Sequence, residues 1–362
     1  MGLTVGDARA LARSLLEAVG LQPAHADTTA RSIVLADCWG AGSHGLLRLP
    51  YYLQRSVVGG YPARAELTTT SDTGVVAVLD GGGGLGHWQA WAAAELATAR
   101  AAQSGLSAVA VANSGHCGAL GVYTLPALER DFVALVFSHG PGVMPAWGAS
   151  TPLFSTSPLA AGIPCMPRAA IVDLATSAVA RGKIAEHAQR GEPLPPGWAL
   201  DESGLPTQDA QTALRGMLAP LGGAKGYAIA FMVEALTAAL VGPSLSVDVS
   251  DMFAPEDAST PQRIAHLVLV LDPARFDGEG GSGARRRLAL LAEHIEASGG
   301  RLPGARRELP REIPDDRLID VPAALERELR SWADRLGQRY PGRGRPVGGT
   351  ASEEHGDGAA EV

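Results

Sequence analysis

The amino-acid sequence predicts an α/β protein in which helices from both chain ends surround a central unit of strands and helices. The two ends, residues 1–75 and 285–340, carry apolar residues at helical spacing. Between them, over residues 76–284, short β-branched or apolar runs alternate with helical stretches, which is the texture of an α/β unit. Residues 341–362 are Gly-rich and polar and lack aromatic side chains, so we expect a disordered tail.

Three helices are expected before residue 60. Thr4 and Asp7 have the spacing of a capping box at the start of the first helix. The second is expected at about residues 27–38, where glycines follow it. Ser43 is a good N-cap for the third helix, which Pro50 is expected to kink.

The rest of the chain is predicted to mix strands with helices. Strands are expected at residues 75–79, 107–112, 132–137, 169–173 and 264–271, and helices at 90–103, 178–191, 226–242, 285–298 and 321–338. No internal repeat is visible.

Composition narrows the class of protein. The 362 residues are 46% hydrophobic, enough for a sizeable core, and the net charge of −8 argues against a nucleic-acid partner. Cysteine occurs only 3 times, without a Cys-x-x-Cys pair, so neither a disulfide framework nor a metal site is expected. No signal peptide or long apolar stretch is visible, and we expect a cytoplasmic protein without a membrane partner.

Residues 81–86 satisfy the G-x-G-x-x-G spacing of a dinucleotide-binding turn, after a predicted strand and before a predicted helix. Such a site needs an acidic residue at the end of the next strand to bind the ribose. Asn113 and Ser114 stand there instead, and a run of glycines produces the spacing easily by chance. We therefore favour a flexible turn over a Rossmann cofactor site.

The segment that begins at Ser43 carries candidate catalytic residues. If Ser43 caps a helix, His44, Arg48 and Tyr52 lie on one face at i, i+4 and i+8. That face would present a proton carrier, a bidentate receptor for a carboxylate and a phenol. A surface helix without chemistry is the alternative that spacing alone leaves open.

Three further segments have features of a ligand site. Residues 113–118 follow a predicted strand and include His116 beside Cys117; since sequence neighbours point apart, a Cys–His nucleophile pair is not expected. Residues 173–177 and 222–226 are each expected to open a helix, where free amides can meet a phosphate or ribose. An ordinary turn before a helix is the alternative for both.

Taken together, these motifs resemble the type-2 malate/L-lactate dehydrogenase family, and the match covers about residues 5–338. The motifs are SHGLLRLPYYLQR (43–55), the glycine turn at 80–86, NSGHCGALGVY (113–123), DLATSAVARGK (173–183), PPGWALDESGLPTQD (195–209), PLGGAKGY (220–227) and LPGARR (302–307).

The resemblance implies a sulfolactate-dehydrogenase-like fold, a non-Rossmann nicotinamide site and a homodimer. Members of this family reduce small 2-oxo acids of malate, lactate, sulfolactate, ureidoglycolate or diketogulonate type, and one branch reduces cyclic imine carboxylates. NAD or NADP is the implied cofactor, and a small 2-oxo acid or its 2-hydroxy acid is the implied substrate.

The resemblance also assigns roles to residues. His44 and His116 become the proton-transfer candidates, Ser43 orients His44, and Arg48 holds the substrate carboxylate. Further expected substrate contacts are Tyr52 and Asn113. The expected cofactor contacts are Asp173, Leu174, Ala175, Thr176, Ser177, Lys225, Gly226, Gly304, Ala305 and Arg306.

Several alternatives stay open at this point. We favour His44 over His116 as the proton donor, because Ser43 and Arg48 are its neighbours in the chain, but the sequence does not choose between them. It does not choose between NAD and NADP, or between a 2-oxo acid and a cyclic imine acid. A non-catalytic small-molecule-binding relative is the rival from another class. A metal-dependent hydrolase lacks the H-E-x-x-H spacing it would need.

Overall fold

The computed structural model describes residues 2–252, 254–278 and 280–342. From residue 343 onward, the tail predicted to be disordered lies outside the described residues. The described part of the chain is built on a seven-stranded mixed sheet with helices packed on both faces, so the predicted α/β class is confirmed. None of the helices in these ranges combines the length and apolar character needed to span a bilayer.

The helices and strands are numbered in chain order. The α-helices are α1 (Val5–Ala18), α2 (Pro23–Cys38), α3 (Leu49–Val57), α4 (Gly86–Ser104), α5 (Leu125–Leu128), α6 (Arg181–Arg190), α7 (Ala210–Arg215), α8 (Ala224–Glu234), α9 (Ser282–Ala297) and α10 (Ala323–Arg335). The strands are β1 (Gly2–Thr4), β2 (Thr68–Asp72), β3 (Val76–Asp80), β4 (Leu106–Ser114), β5 (Val133–Ser138), β6 (Met144–Pro145), β7 (Pro152–Phe154), β8 (Leu159–Ile163), β9 (Ala170–Leu174), β10 (Ala199–Leu200), β11 (Pro206–Thr207), β12 (Met217–Leu218), β13 (Ile264–Leu271) and β14 (Leu318–Asp320).

The large sheet has the strand order β2-β3-β4-β13-β5-β8-β9. β3 and β4 run parallel with α4 as their crossover, and the other neighbouring pairs of this sheet are antiparallel. In its centre, Val268 of β13 lies opposite Val109 of β4 and Val136 of β5. α4 packs on one face of the sheet and α8 on the other, which explains why β13 is an almost continuous apolar run.

A separate core joins the two ends of the chain. Leu11 of α1, Ile33 of α2 and Leu329 of α10 are buried in it together. Thr4 caps α1 as expected, because its Oγ1 accepts the backbone N–H of Asp7 at 3.0 Å. β1 pairs with β14 in the antiparallel direction, which ties the two ends directly.

The C-terminal helices do not all join this core. α9 packs on the far edge of the large sheet, where Ala292 contacts the cluster around Ala170 of β9. β2 belongs to the large sheet although it precedes residue 75. The division into a helical domain of both ends and a central α/β domain stays a prediction.

The predicted third helix is wrong in its first half. Two 3-10 turns, Gly42–His44 and Leu46–Arg48, precede α3, because Gly45 between them has φ −91° and ψ −146° and interrupts the helix. Ser43 therefore lies inside the first turn instead of capping α3. Pro50 occupies the first turn of α3, where it needs no N–H acceptor, and it kinks nothing.

The expectation that residues 173–177 open a helix is also wrong. α6 begins only at Arg181. Thr176 instead donates its backbone N–H to the carbonyl of Thr156 at 2.8 Å. The expectation for residues 222–226 is confirmed, because α8 begins at Ala224 directly after Gly223.

Candidate active site

A tight turn after α2 carries Ser43 and His44. Asp37, near the end of α2, accepts the backbone N–H of Leu46 through Oδ2 at 2.8 Å. A Cβ on Gly45 would lie 2.0 Å from Asp37 Oδ1, so the turn closes on this carboxyl group only with glycine there. Burial raises the pKa of Asp37 to about 7. The turn thus depends on Asp37, which the motif analysis did not single out.

His44 contacts the neighbours that the sequence suggested. Oγ of Ser43 lies 2.9 Å from its Nδ1. Arg48 donates from Nε to the backbone carbonyl of Ser43 at 2.9 Å, which keeps the guanidinium close to this turn. Burial, with a smaller effect of the positive charge of Arg48, lowers the pKa of His44 to about 4. His44 is therefore a neutral imidazole near neutral pH.

His116 lies in the loop that follows β4, and its ring nitrogens are not equivalent. Nδ1 lies 2.8 Å from the Tyr52 hydroxyl and accepts the backbone N–H of Gly118 at 3.3 Å. Because an amide N–H can only donate, Nδ1 carries no proton and the neutral ring is protonated at Nε2. Burial lowers the pKa of His116 well below its ordinary value, and the neighbouring His44 lowers it further.

These side chains converge although they do not share a helical face. The rings of His44 and His116 are stacked, with their centroids 5.9 Å apart and their planes at 21°. Tyr52, fully buried on α3, stacks on His116 from the protein interior. The two half-buried, neutral imidazoles can exchange a proton with a ligand, and the neighbouring guanidinium of Arg48 can bind a carboxylate.

Asn113 lies apart from this cluster. Its Nδ2 donates to Oδ1 of Asp80 at 3.1 Å, and it lines an open cleft of about 400 Å³ together with Asp80 and Arg263. The expected role of Asn113 in substrate binding stays a prediction.

The three predicted cofactor segments lie together beside the loop of His116. Oδ2 of Asp173 accepts the backbone N–H of Gly121 at 2.9 Å, in the 3-10 turn directly after that loop. Leu221, which precedes α8, donates its N–H to the carbonyl of Thr176 at 2.8 Å. A Cβ on Gly304 would lie 2.3 Å from the carbonyl oxygen of Ile171 in β9, so this glycine permits the third segment to approach.

The donor groups of these segments fit an anionic dinucleotide. Gly222 and Gly223 have φ of 59° and 70°, and Lys225 is exposed on the first turn of α8. The first amides of a helix have no acceptor within the helix and attract phosphate, which the lysine reinforces. Gly226 permits close packing at this point, since a Cβ there would lie 2.3 Å from the carbonyl oxygen of Leu221.

The glycine turn at residues 81–86 cannot hold a pyrophosphate in the same way. Its amides already donate to protein acceptors: Gly81 to the carbonyl of Ala112, Gly82 to Asp80 Oδ1, Gly83 to the carbonyl of Asn113, Gly84 to the carbonyl of Gly81 and Gly86 to the carbonyl of His116. The turn therefore holds the loop of His116 in place, through the hydrogen bond from Gly86 to the carbonyl of His116.

Comparison with known proteins identifies the family. A sequence model described as malate/L-lactate dehydrogenase matches residues 3–330. The chain belongs to the malate/L-lactate dehydrogenase family. The resemblance that the ordered motifs indicated is confirmed.

Individual members of the malate/L-lactate dehydrogenase family match over nearly their whole length. The (2R)-3-sulfolactate dehydrogenase (NADP(+)) of Chromohalobacter salexigens is 37% identical over 337 residues, covering 91% of this chain and 98% of the relative. The delta(1)-pyrroline-2-carboxylate/delta(1)-piperideine-2-carboxylate reductase of Pseudomonas putida is 35% identical over 332 residues, covering 90% and 95%. The structure of sulfolactate dehydrogenase from Methanocaldococcus jannaschii aligns with a TM-score of 0.86 at 28% identity, covering 94% and 98%.

Two buried polar residues of this family member escaped the sequence analysis. His87 of α4 meets the Tyr52 ring edge-to-face at 4.8 Å, and neither ring nitrogen has a hydrogen-bond partner among the described residues. Gln262, just before β13, accepts the backbone N–H of His116 through Oε1 at 3.0 Å. Only the placement of a histidine inside an Ala-rich helix could have marked His87. Nothing in the pattern marks Gln262.

Proposed function

We propose that the chain interconverts a small 2-oxo acid and its 2-hydroxy acid, with NAD or NADP as the hydride carrier. The observation that carries the proposal is the bonding of His116, which puts its proton on Nε2 beside His44. Relatives named as sulfolactate dehydrogenases and as cyclic imine carboxylate reductases support it. Both substrate classes carry a carboxylate next to the carbon that changes oxidation state.

His116 is the proposed proton carrier. In the reductive direction the imidazolium gives its Nε2 proton to the substrate oxygen and keeps its second proton on Nδ1. In the oxidative direction Nε2 takes the hydroxyl proton back and the imidazolium forms again. A low pKa at rest suits the base of the oxidation, and a substrate carboxylate bound nearby raises the pKa and favours the acid of the reduction. His44, bonded to Ser43, is the second candidate. The hydrogen bonds thus favour His116 as the proton carrier, whereas the sequence favoured His44.

Arg48 is the proposed anchor of the substrate carboxylate, with Tyr52 behind His116 as its support. The bond from Arg48 Nε to the Ser43 carbonyl orients the guanidinium next to His44. A guanidinium and a carboxylate pair in a planar, bidentate geometry, which aligns a small substrate with few contacts.

When bound, the nicotinamide cofactor supplies or accepts the hydride. Residues 173–177, Lys225 with Gly226, and residues 304–306 are proposed to hold it. Lys225 and the first amides of α8 would bind phosphate oxygens. Asp173 would hold this surface in a fixed position relative to the loop of His116, because its carboxylate accepts a hydrogen bond from Gly121.

We also propose a homodimer in the cytoplasm. α8 exposes Ile229, Phe231 and Met232 by 37%, 57% and 45%, and Leu240 beyond it by 70%. An apolar face of this kind marks an interaction surface, and a two-fold axis lets one patch cover its own copy. The cysteines, which are free thiols, suit a reducing compartment. Phe231→Glu should shift the sedimenting species from dimer to monomer, and a wild-type monomer would contradict the proposal.

The proposed reaction is tested with a panel of 2-oxo acids and cyclic imine acids, assayed with NADH and NADPH separately. We expect His116→Asn to lower kcat by about 10²–10⁴-fold while NAD(P)H binding persists, because the lost group acts in the transition state. His44→Asn should cost less. The matched control is His294→Asn, an exposed histidine on α9. Unchanged turnover in the His116 variant over pH 6–9 would refute the assignment.

The same panel separates the second candidate function. The imine reductases of Pseudomonas putida and Ancylobacter novellus are 35% and 36% identical to this chain. Turnover confined to cyclic imine acids would replace the 2-oxo acid proposal by that activity. Cofactor binding without any turnover would instead favour a non-catalytic relative.

A further inference from the structure

Gln262 is enclosed by polar groups of the proton-transfer site. It is 1% exposed. Its Oε1 accepts two hydrogen bonds, from the backbone N–H of His116 at 3.0 Å and from the Tyr61 hydroxyl at 2.5 Å. Its Nε2 donates to the Tyr51 hydroxyl at 3.1 Å. All three partners lie on segments distant from Gln262 in sequence.

This pattern permits only one orientation of the amide group. A flipped amide would place the NH₂ group of Gln262 against the N–H of His116, and two donors would then face each other in a buried space. Gln262 is therefore held rigidly by its own bonds. Through its hydrogen bond with the N–H of His116, Gln262 can restrain the backbone of that residue.

The segment that carries Gln262 is itself fastened by a buried arginine. Arg55 of α3 is 1% exposed and donates to the carbonyl of Asp257 at 3.1 Å and to the carbonyl of Thr260. Its guanidinium also lies over the rings of Tyr51 and Tyr61, at 5.6 and 5.1 Å from their centroids. Arg55 thus attaches residues 257–260 to the helix that bears Tyr52.

We propose that Gln262 is a positioning residue of the proton-transfer site: it fixes the backbone of His116, and Arg55 fixes the segment that carries Gln262. The proposal rests on the proposed function, in which His116 moves the proton. Gly86 holds the carbonyl of His116 at 3.2 Å. Gln262 accepts the backbone N–H of His116, and Tyr52 contacts the ring nitrogen Nδ1. His116 is therefore held at its backbone N–H, at its backbone carbonyl and at its ring.

Gln262→Met and Gln262→Glu test this role. Methionine has nearly the same length but only a weak thioether acceptor in place of the amide oxygen, so the N–H of His116 loses its restraint. We expect kcat to fall about 10-fold to 100-fold, as for a misplacement of about 1 Å, with the KM for NAD(P)H unchanged. Glutamate keeps the acceptor oxygen for His116 and Tyr61 and should retain most of kcat. The matched control is Gln54→Met on the exposed face of α3.

Two kinetic results would overturn the proposal. The first is a Gln262→Met enzyme with wild-type kcat and pH profile. The second is an equal loss in Gln262→Met and Gln262→Glu, because the acceptor oxygen would then be irrelevant. If Gln262→Met does not fold, the Glu variant decides alone: retained kcat supports the proposal, and a loss above 10-fold contradicts it.

A second readout does not depend on turnover, so failure of the proposed function and failure of this inference remain distinguishable. The donors on Nδ1 of His116 favour its neutral form, and a displaced ring loses part of their effect. NMR titration of the His116 ring should therefore give a higher pKa in Gln262→Met than in the wild type or in Gln54→Met. Superimposable titration curves would overturn the proposal even if no substrate were known.

Arg55→Lys tests the proposed role of Arg55, which is to fix the segment that carries Gln262. A lysine keeps the charge but cannot donate to two carbonyls in one plane. Because both residues act on His116 through one segment, the fold-loss in kcat of the double variant Arg55→Lys, Gln262→Met should be clearly smaller than the product of the two single losses. Independent, multiplicative losses would remove Arg55 from the proposal.

Discussion

Replacing Tyr52 with Phe removes one hydroxyl group and one hydrogen bond from the proton-transfer site. Tyr52 is fully buried, and its oxygen lies 2.8 Å from Nδ1 of His116. Burial raises the pKa of Tyr52 well above its ordinary value, so the hydroxyl keeps its proton and donates it to Nδ1. That bond exists only while Nδ1 is unprotonated, and it therefore favours the neutral imidazole.

The size of the effect follows from the energy of one hydrogen bond. A neutral hydrogen bond in a protein contributes about 0.5–1.5 kcal/mol net, and a change of one unit in pKa corresponds to about 1.36 kcal/mol. Losing the bond should raise the pKa of His116 by roughly 0.4 to 1.1 pH units. The amide of Gly118 still donates to Nδ1 in the variant, and burial still lowers the pKa, so it stays below its ordinary value.

The assay is the pH dependence of kcat/KM for oxidation of the 2-hydroxy acid. The neutral ring of His116 is the base in this direction, so activity falls as the pH drops through its pKa. A higher pKa in Tyr52→Phe moves this acid limb to higher pH. Tyr340→Phe, on the C-terminal segment beside Arg330, serves as the control and should leave the limb in place. An unmoved limb in Tyr52→Phe, or one moved to lower pH, would refute the bonding described for His116.

Two further predictions concern the cofactor and acid stability. Lys225→Ala should raise the KM for NAD(P)H by roughly 10-fold to 100-fold, the equivalent of about 1.5–3 kcal/mol for a charge-assisted hydrogen bond. Gly83→Ala should change this KM by no more than a few-fold. The reverse order of the two variants in initial-rate measurements would restore the glycine turn as the cofactor site. Burial lowers the pKa values of His87 and His139 to about 3 and of His266 to about 4. Each therefore contributes stability that is fully present above pH 6.5 and is lost as the pH falls towards 3–4. Calorimetry should show a steep fall of Tm below pH 6.5, and a flat Tm down to pH 4 would contradict it.

The sequence predicted the elements whose local chemistry is self-sufficient. The Thr4 cap and the apolar strand β13 came out as expected, because a cap depends on residues adjacent in the chain and a strand buried on both faces is visible as an unbroken apolar run. The third helix failed for a reason outside its own segment. Gly45 has a non-helical conformation where the Asp37 carboxyl of another helix accepts the N–H of Leu46, and a side chain at position 45 would collide with that carboxyl.

By itself, the sequence determined the α/β class, the family and the identity of most candidate site residues, because ordered motifs and periodicity are encoded along the chain. Only the tertiary structure decided how His116 is bonded. Its partners Tyr52, Gly118 and Gln262 come from three segments, and a hydrogen bond depends on distances that no spacing in sequence reports. Burial likewise lowers the pKa values of His44 and His116, and burial is a property of the packed chain.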